Sequence, residues 1–210
     1  MKISAPRLRV LCLVLGVMAA LAGCERIKWT EDVQLPDGRT ITLTRLQKYG
    51  GPTEIGQHTS ALDYWFEFTN PDTGERVRWQ SDRELATVAL LIHNRTPYLL
   101  VMTAFYSSQV KFGCPDPLYL LYRYEGGRWL STPLADIPVK RLRANVTAAT
   151  DRDLREGRIK HLPVERTRHS LVLNNKPWIM DFTDVHQTFD PQNCNRQSNY
   201  LLVPPEANPR

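Results

Sequence analysis

The sequence predicts a mostly β fold, an antiparallel β-sandwich or barrel built from about five hairpins with one short helix at most. Three observations carry that expectation. Short apolar or alternating runs recur along the chain, turn residues join them in pairs, and only one short segment reads as helical. A small propeller-like meander is the alternative architecture, but no fixed repeat period carries a shared motif.

The first pair is the clearest. Trp29, Glu31, Val33 and Leu35 alternate with Thr30, Asp32 and Gln34, and Pro36-Asp37-Gly38 leads into a second run at residues 40–44. Proline presets the first turn position and glycine accepts positive φ. A second pair joins residues 62–69 to 76–79 across Asn70-Pro71-Asp72-Thr73-Gly74, with Tyr64, Phe66 and Phe68 on one face. The third joins residues 87–93 to 98–106 across Asn94-Arg95-Thr96-Pro97. Both of its arms are almost continuously apolar, the pattern of central strands buried on both sides. A fourth places residues 118–124 before Glu125-Gly126-Gly127-Arg128, with Trp129 and Leu130 after it. The fifth joins residues 170–173 to 178–182 through Asn174-Asn175-Lys176-Pro177, and a last short strand is expected at 200–203. The single helix is expected at 151–156, with Thr150 as N-cap and Gly157 as stop.

The amino terminus follows a different rule. Lys2, Arg7 and Arg9 precede an uncharged stretch of apolar or small residues from 10 to 22. This is the layout of a secretory signal peptide, and the stretch falls short of the about 20 residues a helix needs to span a bilayer. It ends in Leu21-Ala22-Gly23-Cys24, which resembles the lipobox of bacterial lipoproteins. The resemblance implies cleavage before Cys24, acylation of its thiol, and stable attachment to a membrane by three chains. It also implies sorting to the outer membrane, facing the periplasm. Lipoproteins with Asp after the cysteine are similar to those kept in the inner membrane, and here Glu25 stands in that place, followed by Arg26.

The expected division is therefore a signal peptide at 1–23, the lipidated cysteine and a short tether at 24–28, one β-rich domain at 29–203 and a disordered tail at 204–210. Processing changes the charge balance. The whole chain carries 27 basic and 22 acidic residues, a net +5. Three of the basic residues leave with the leader, so the mature chain holds 24 against 22. Nucleic acid is excluded as a partner by that balance and by export. Cys12 also leaves with the leader and Cys24 is acylated, so Cys114 and Cys194 are the two remaining thiols in an oxidising compartment, and a disulfide between them is expected.

Chemistry is harder to find. No G-x-S-x-G, H-E-x-x-H or paired C-x-x-C run occurs, so no catalytic residue, metal site or cofactor is assigned. The histidines are His58, His93, His161, His169 and His186. In an extended segment Asp184 and His186 share a face, as the start of a metal site or an acid/base pair or, more simply, as a polar strand end. His93 reads as a hydrogen-bonded rim residue. Trp79, Trp129 and Trp178 sit beside turns and read as packing residues, with a sugar-stacking platform as the functional alternative. Acids such as Glu67, Asp116 and Asp136 supply no readable pair. Residues 139–169 hold nine basic residues against four acids, and Arg152, Arg155 and Arg158 are the candidate partner-binding residues, weighed against a solvated loop face. Asn94-Arg95-Thr96 and Asn145-Val146-Thr147 match the glycosylation pattern, which means little in a bacterial lipoprotein. The expectation is an anchored, non-enzymatic interaction module for an envelope protein or cell-wall component. An envelope hydrolase acting on wall glycan or peptide, and a periplasmic inhibitor or immunity-type lipoprotein, are the alternatives.

Overall fold

The computed structural model describes residues 25–50, 60–82, 84–103, 105–147, 152–170, 172–173, 176–177, 179–183, 185–190 and 194. The signal peptide, Cys24, His58, Thr150, Trp178, Asp184, the expected strand at 200–203 and the expected tail lie outside them.

Alternation builds the first sheet. Strands β1 (Glu25–Gln34), β2 (Thr40–Gly50), β3 (Ser60–Thr69) and β4 (Arg76–Asp82) form an antiparallel meander. Ile27, Trp29, Glu31 and Val33 point inward from β1, and Ile41, Leu43, Arg45, Gln47 and Tyr49 from β2. The outer face is charged. Glu67 on it pairs with both Arg76 and Arg78, and Lys48 with Asp63 at 3.0 Å. β1 opens at Glu25, so residues 25–28, expected as a tether, are strand paired with 46–49. Ile27 continues the inward alternation, which is why pairing extends that far.

The second sheet is apolar on both sides. Strands β5 (Leu85–His93) and β6 (Thr96–Thr103) turn at Asn94 and Arg95, whose φ of 48° and 68° make the two-residue turn that matches strand twist. A bulge at Val88 interrupts their register. Helix α1 (Tyr106–Lys111) and the short strand β7 (Pro115–Asp116) follow, and β8 (Tyr119–Glu125) and β9 (Arg128–Thr132) complete the order β5-β6-β8-β9. Leu90, Ile92, Leu99 and Val101 meet Val33, Leu43, Phe66 and Val77 of the first sheet in one core, so the two sheets form a β-sandwich.

The opposite face of the second sheet is covered by the rest of the chain. Ala89, Leu91, Leu100, Tyr119 and Leu121 pack against Leu134, Ile137, Leu142, Met180 and Phe182. Leu142 and Met180 come from a small antiparallel pair, β10 (Arg141–Arg143) and a strand at Ile179–Asp181. The fifth hairpin is thus shorter than expected. Its arms are β12 (Val172–Leu173) and β13 (Lys176–Pro177), and β14 (Ile179–Asp181) leaves it to pair with β10. The apolar surface offered by β5, β6 and β8 draws Met180 and Phe182 there.

Three α-helices and one 3₁₀ turn (Leu134–Asp136) are present among the described residues, where one helix is expected. Helix α2 (Arg152–Arg155) coincides with the expected one and stops at Gly157, φ 69°. Beyond α2, β11 (His161–Leu162) adds to the edge of β1 in parallel, with Thr30 opposite His161, and α3 (Val164–Ser170) follows. Helix α1 replaces the expected end of a strand. β6 stops at Thr103, and the Ser108 hydroxyl accepts the Phe105 N–H at 2.9 Å and donates to the Phe105 carbonyl at 2.6 Å, folding the chain into a turn. β15 (Thr188–Phe189) pairs with β7.

Candidate functional site

A groove of about 390 Å³ opens where β1 leaves the first sheet. Its floor is apolar, from Leu35, Leu142, Ala144, Val164 and Ile179, and its rim carries Asp32, Gln34, Arg141 and Arg143. A volume of this size is within the range of ligand pockets. Asn145 builds one wall. Its side-chain oxygen accepts the Leu90 N–H at 2.8 Å, and its amide nitrogen donates to the carbonyls of Leu90 (2.8 Å) and Gln34 (2.9 Å). One side chain therefore caps the outer edge of β5 as a neighbouring strand would and ties it to β1. The Asn145 amide matched by the glycosylation pattern is consumed in this bridge.

Rim groups are held by partners of their own. Arg141 donates to Asp181 at 3.1 Å. Asp181 sits below the usual carboxylate range, chiefly because the Thr183 hydroxyl and backbone N–H donate to it, with Arg141 adding to the effect. Asp32 accepts the Thr42 hydroxyl at 2.7 Å and lies 3.2 Å from His161 Nε2. The other ring nitrogen of His161, Nδ1, is 2.9 Å from the Thr30 hydroxyl. Thr30 and Asp32 share a face of β1, and the parallel register puts His161 beside them. This hydroxyl–imidazole–carboxylate chain has the connectivity of a nucleophile, a base and an orienting acid. The Thr30 N–H, however, donates to the Lys160 carbonyl at 3.0 Å, so the amide nearest the hydroxyl is not a donor for an oxyanion.

The inward face of β1 and β2 carries a buried ion pair. Glu31 is 0% exposed and Arg45 2%, and Arg45 Nη1 donates to Glu31 at 2.8 Å. Glu31 also accepts the Thr147 N–H at 2.7 Å, while Arg45 donates to the Thr147 carbonyl at 3.0 Å and stacks on Trp29 and Phe66. The pair thus fastens residue 147 to the first sheet.

The candidate partner-binding arginines fall on α2 and just after it. Arg152 pairs with Glu156 at 2.7 Å, and Arg158 pairs with Asp153 and Glu156. Arg155 stands 4.4 Å over the Tyr49 ring. Asp153 also receives Arg166, and the two guanidinium groups, Arg166 first, hold its carboxyl below the ordinary range. Among the described residues of this basic stretch, Asp153 and Glu156 pair with Arg152, Arg158 and Arg166, and only Arg152–Glu156 is at the i,i+4 helical spacing; the arginines stay exposed to solvent within these pairs. Reversing these arginines would therefore break contacts of the fold as well as its surface charge.

Cys114 and Cys194 are joined as a disulfide, with Cα atoms 5.1 Å apart. Next to it lies an exposed apolar surface that the sequence pattern does not announce. Phe105, Tyr106, Val110 and Phe189 are 54%, 60%, 51% and 56% exposed. The sequence places Phe105 and Tyr106 at the end of a buried strand. The signal available was Ser107-Ser108, two poor strand formers that close the apolar run. Trp79 and Trp129 do pack, with ring centroids 5.7 Å apart, and Trp129 donates its indole N–H to the Arg78 carbonyl at 2.6 Å. His93 is exposed at the end of β5. His186 lines a second groove of about 490 Å³ with Phe189 and Gln187.

No family model matches this chain, and no curated protein or solved structure matches it either.

Proposed function

We propose that this protein is a lipid-anchored module of the bacterial cell envelope that binds a protein or cell-wall partner without turning it over. In this reading Cys24 carries the acyl chains in the outer membrane, facing the periplasm, and the groove bounded by Asp32, Arg141 and Arg143 takes the partner. The observation that supports it is the construction of that groove: an apolar floor under charged groups already fixed by Asp181, Thr42 and His161. A rim held in place before binding loses little conformational freedom on association.

The test is crosslinking of the full chain in intact cells. Arg141→Glu together with Arg143→Glu should abolish capture of the partner while leaving the protein in the membrane fraction. Capture at wild-type levels rejects the groove as the binding site. Cys24→Ala should separately remove incorporation of a fatty-acid label, and an undiminished label rejects the anchor.

The Thr30–His161–Asp32 chain favours a second reading, an envelope hydrolase. Release of soluble product from cell-wall sacculi by the wild-type protein, lost in Thr30→Ala and His161→Ala, would establish it in place of the binding module. We take the chain as a clasp holding β11 to β1, because the amide of Thr30 is spent on Lys160.

A further inference from the structure

We infer that the α1 end of the sandwich lies on the bilayer, with Phe105, Tyr106, Val110 and Phe189 seated among the lipid head groups. This rests on the anchored reading above and names the face that the anchor presents to the membrane.

Helix spacing and strand register bring the four residues to one end of the sandwich. Tyr106 and Val110 are four apart on α1, on one helical face, and Phe105 precedes them at the N-cap. Phe189 pairs in register with Pro115, and its ring comes within 3.6 Å of where a Cβ on Gly113 would lie, just past the end of α1. The Cys114–Cys194 bridge fixes the same loop. Large apolar side chains grouped and exposed in this way mark a surface that meets another apolar phase.

The strand registers place the patch at the anchored end. Arg26 lies opposite Lys48, Lys48 opposite Asp63, and Asp63 opposite Asp82, so one row crosses the first sheet from the start of β1 to the end of β4. Two residues beyond Asp82, Glu84 pairs with Lys111, the last residue of α1. Three strand spacings, about 14 Å, separate β1 from β4. At the other end of the row Glu25 is already strand, so the acylated residue lies at most about 4 Å before it. A tether that short leaves no room for a folded protein between this end and the bilayer, and the phase that meets the patch is lipid. The chemistry agrees. At head-group depth Tyr106 buries its ring while its hydroxyl stays wet, the wholly apolar Phe105 and Phe189 sit beside it, and Arg26 and Lys28, both exposed on β1, meet the phosphates.

The experiment uses the full, lipidated chain in its native membrane. A benzophenone amino acid is placed at position 106 (Tyr106→p-benzoylphenylalanine) and, in a second protein, at the far turn (Arg95→p-benzoylphenylalanine). After illumination, mass spectrometry should find phospholipid adducts at 106 in excess over 95 by roughly tenfold or more, the ratio that burying one large apolar side chain supports. Adducts at 106 to a protein, to a second copy of the chain or to nothing, in protein that still fractionates with membranes, overturn the inference and leave the anchor standing. Loss of the protein from the membrane fraction overturns the anchored reading and the inference together.

Discussion

The two sheets of the sandwich solve burial in opposite ways. The second sheet puts apolar side chains on both faces, Leu90 and Leu99 toward the first sheet and Leu91 and Leu100 toward the covering segments. The first sheet alternates, charged outside and apolar inside, yet it places Glu31 and Arg45 on the inside. Continuous apolar runs therefore announce a sheet that the rest of the chain must cover. Strict alternation announces one free face, and a charge at an inward position of that pattern announces a partner at another inward position.

The sharpest way to break the comparison is to take one charge from the first sheet. Glu31→Ala should cost about 3–5 kcal/mol, because it leaves the Arg45 guanidinium buried without its counter-ion. Denaturant titration of the detergent-solubilised protein measures this directly. The double change Glu31→Leu with Arg45→Met should return most of the loss, since removing both charges removes the desolvation cost as well. A double variant as unstable as the single one would show that the tie to Thr147 is what matters.

In the second sheet Leu100→Ala should cost about 3 kcal/mol, the middle of the range for a leucine deleted from a two-sided core. The same titration checks it. A cost below about 1 kcal/mol would mean that the covering segments collapse onto the gap, and that the second face is less firmly packed than its burial implies.

The smallest effect belongs to the charged surfaces. Asp153 is lowered by Arg166 and then Arg158, and Glu67 by Arg76 above all. A carboxyl whose folded value lies below its unfolded one stabilises fully above the unfolded value. That contribution disappears as pH falls through the folded value. Stability should therefore hold from neutral pH down to about 4 and decline below it. Asp153→Asn should make the decline shallower in unfolding followed across that range. An unchanged profile would remove Asp153 from the account.

Much of this fold is legible in the residues. Gly38, Gly126 and Gly127 mark turns that the structure makes with positive φ, and the apolar arms at 87–93 and 98–103 are the doubly buried strands. Glu31 falls on the inward side of the alternation in the sequence itself, but its partner, fourteen residues away, is named only by the register of β1 against β2. The groove is less legible still. Its lining comes from residues 32–36, 141–145, 164–167 and 179, brought together by tertiary packing that has no period. Phe105 and Tyr106 are apolar yet exposed, because the rule that apolar residues lie inside runs in one direction only.

The parallel pairing of β1 with β11 has a consequence for the edge of the first sheet. Thr30 and His161 meet across 131 positions of chain, so the outer edge of the first strand is covered by a segment that lies far along the sequence. An open strand edge is a template for pairing with any other extended chain. β11 covers that edge only at Thr30 and Glu31, and the exposed charges of Glu25, Arg26 and Lys28 stand along the stretch it leaves open, where they make such mispairing unfavourable.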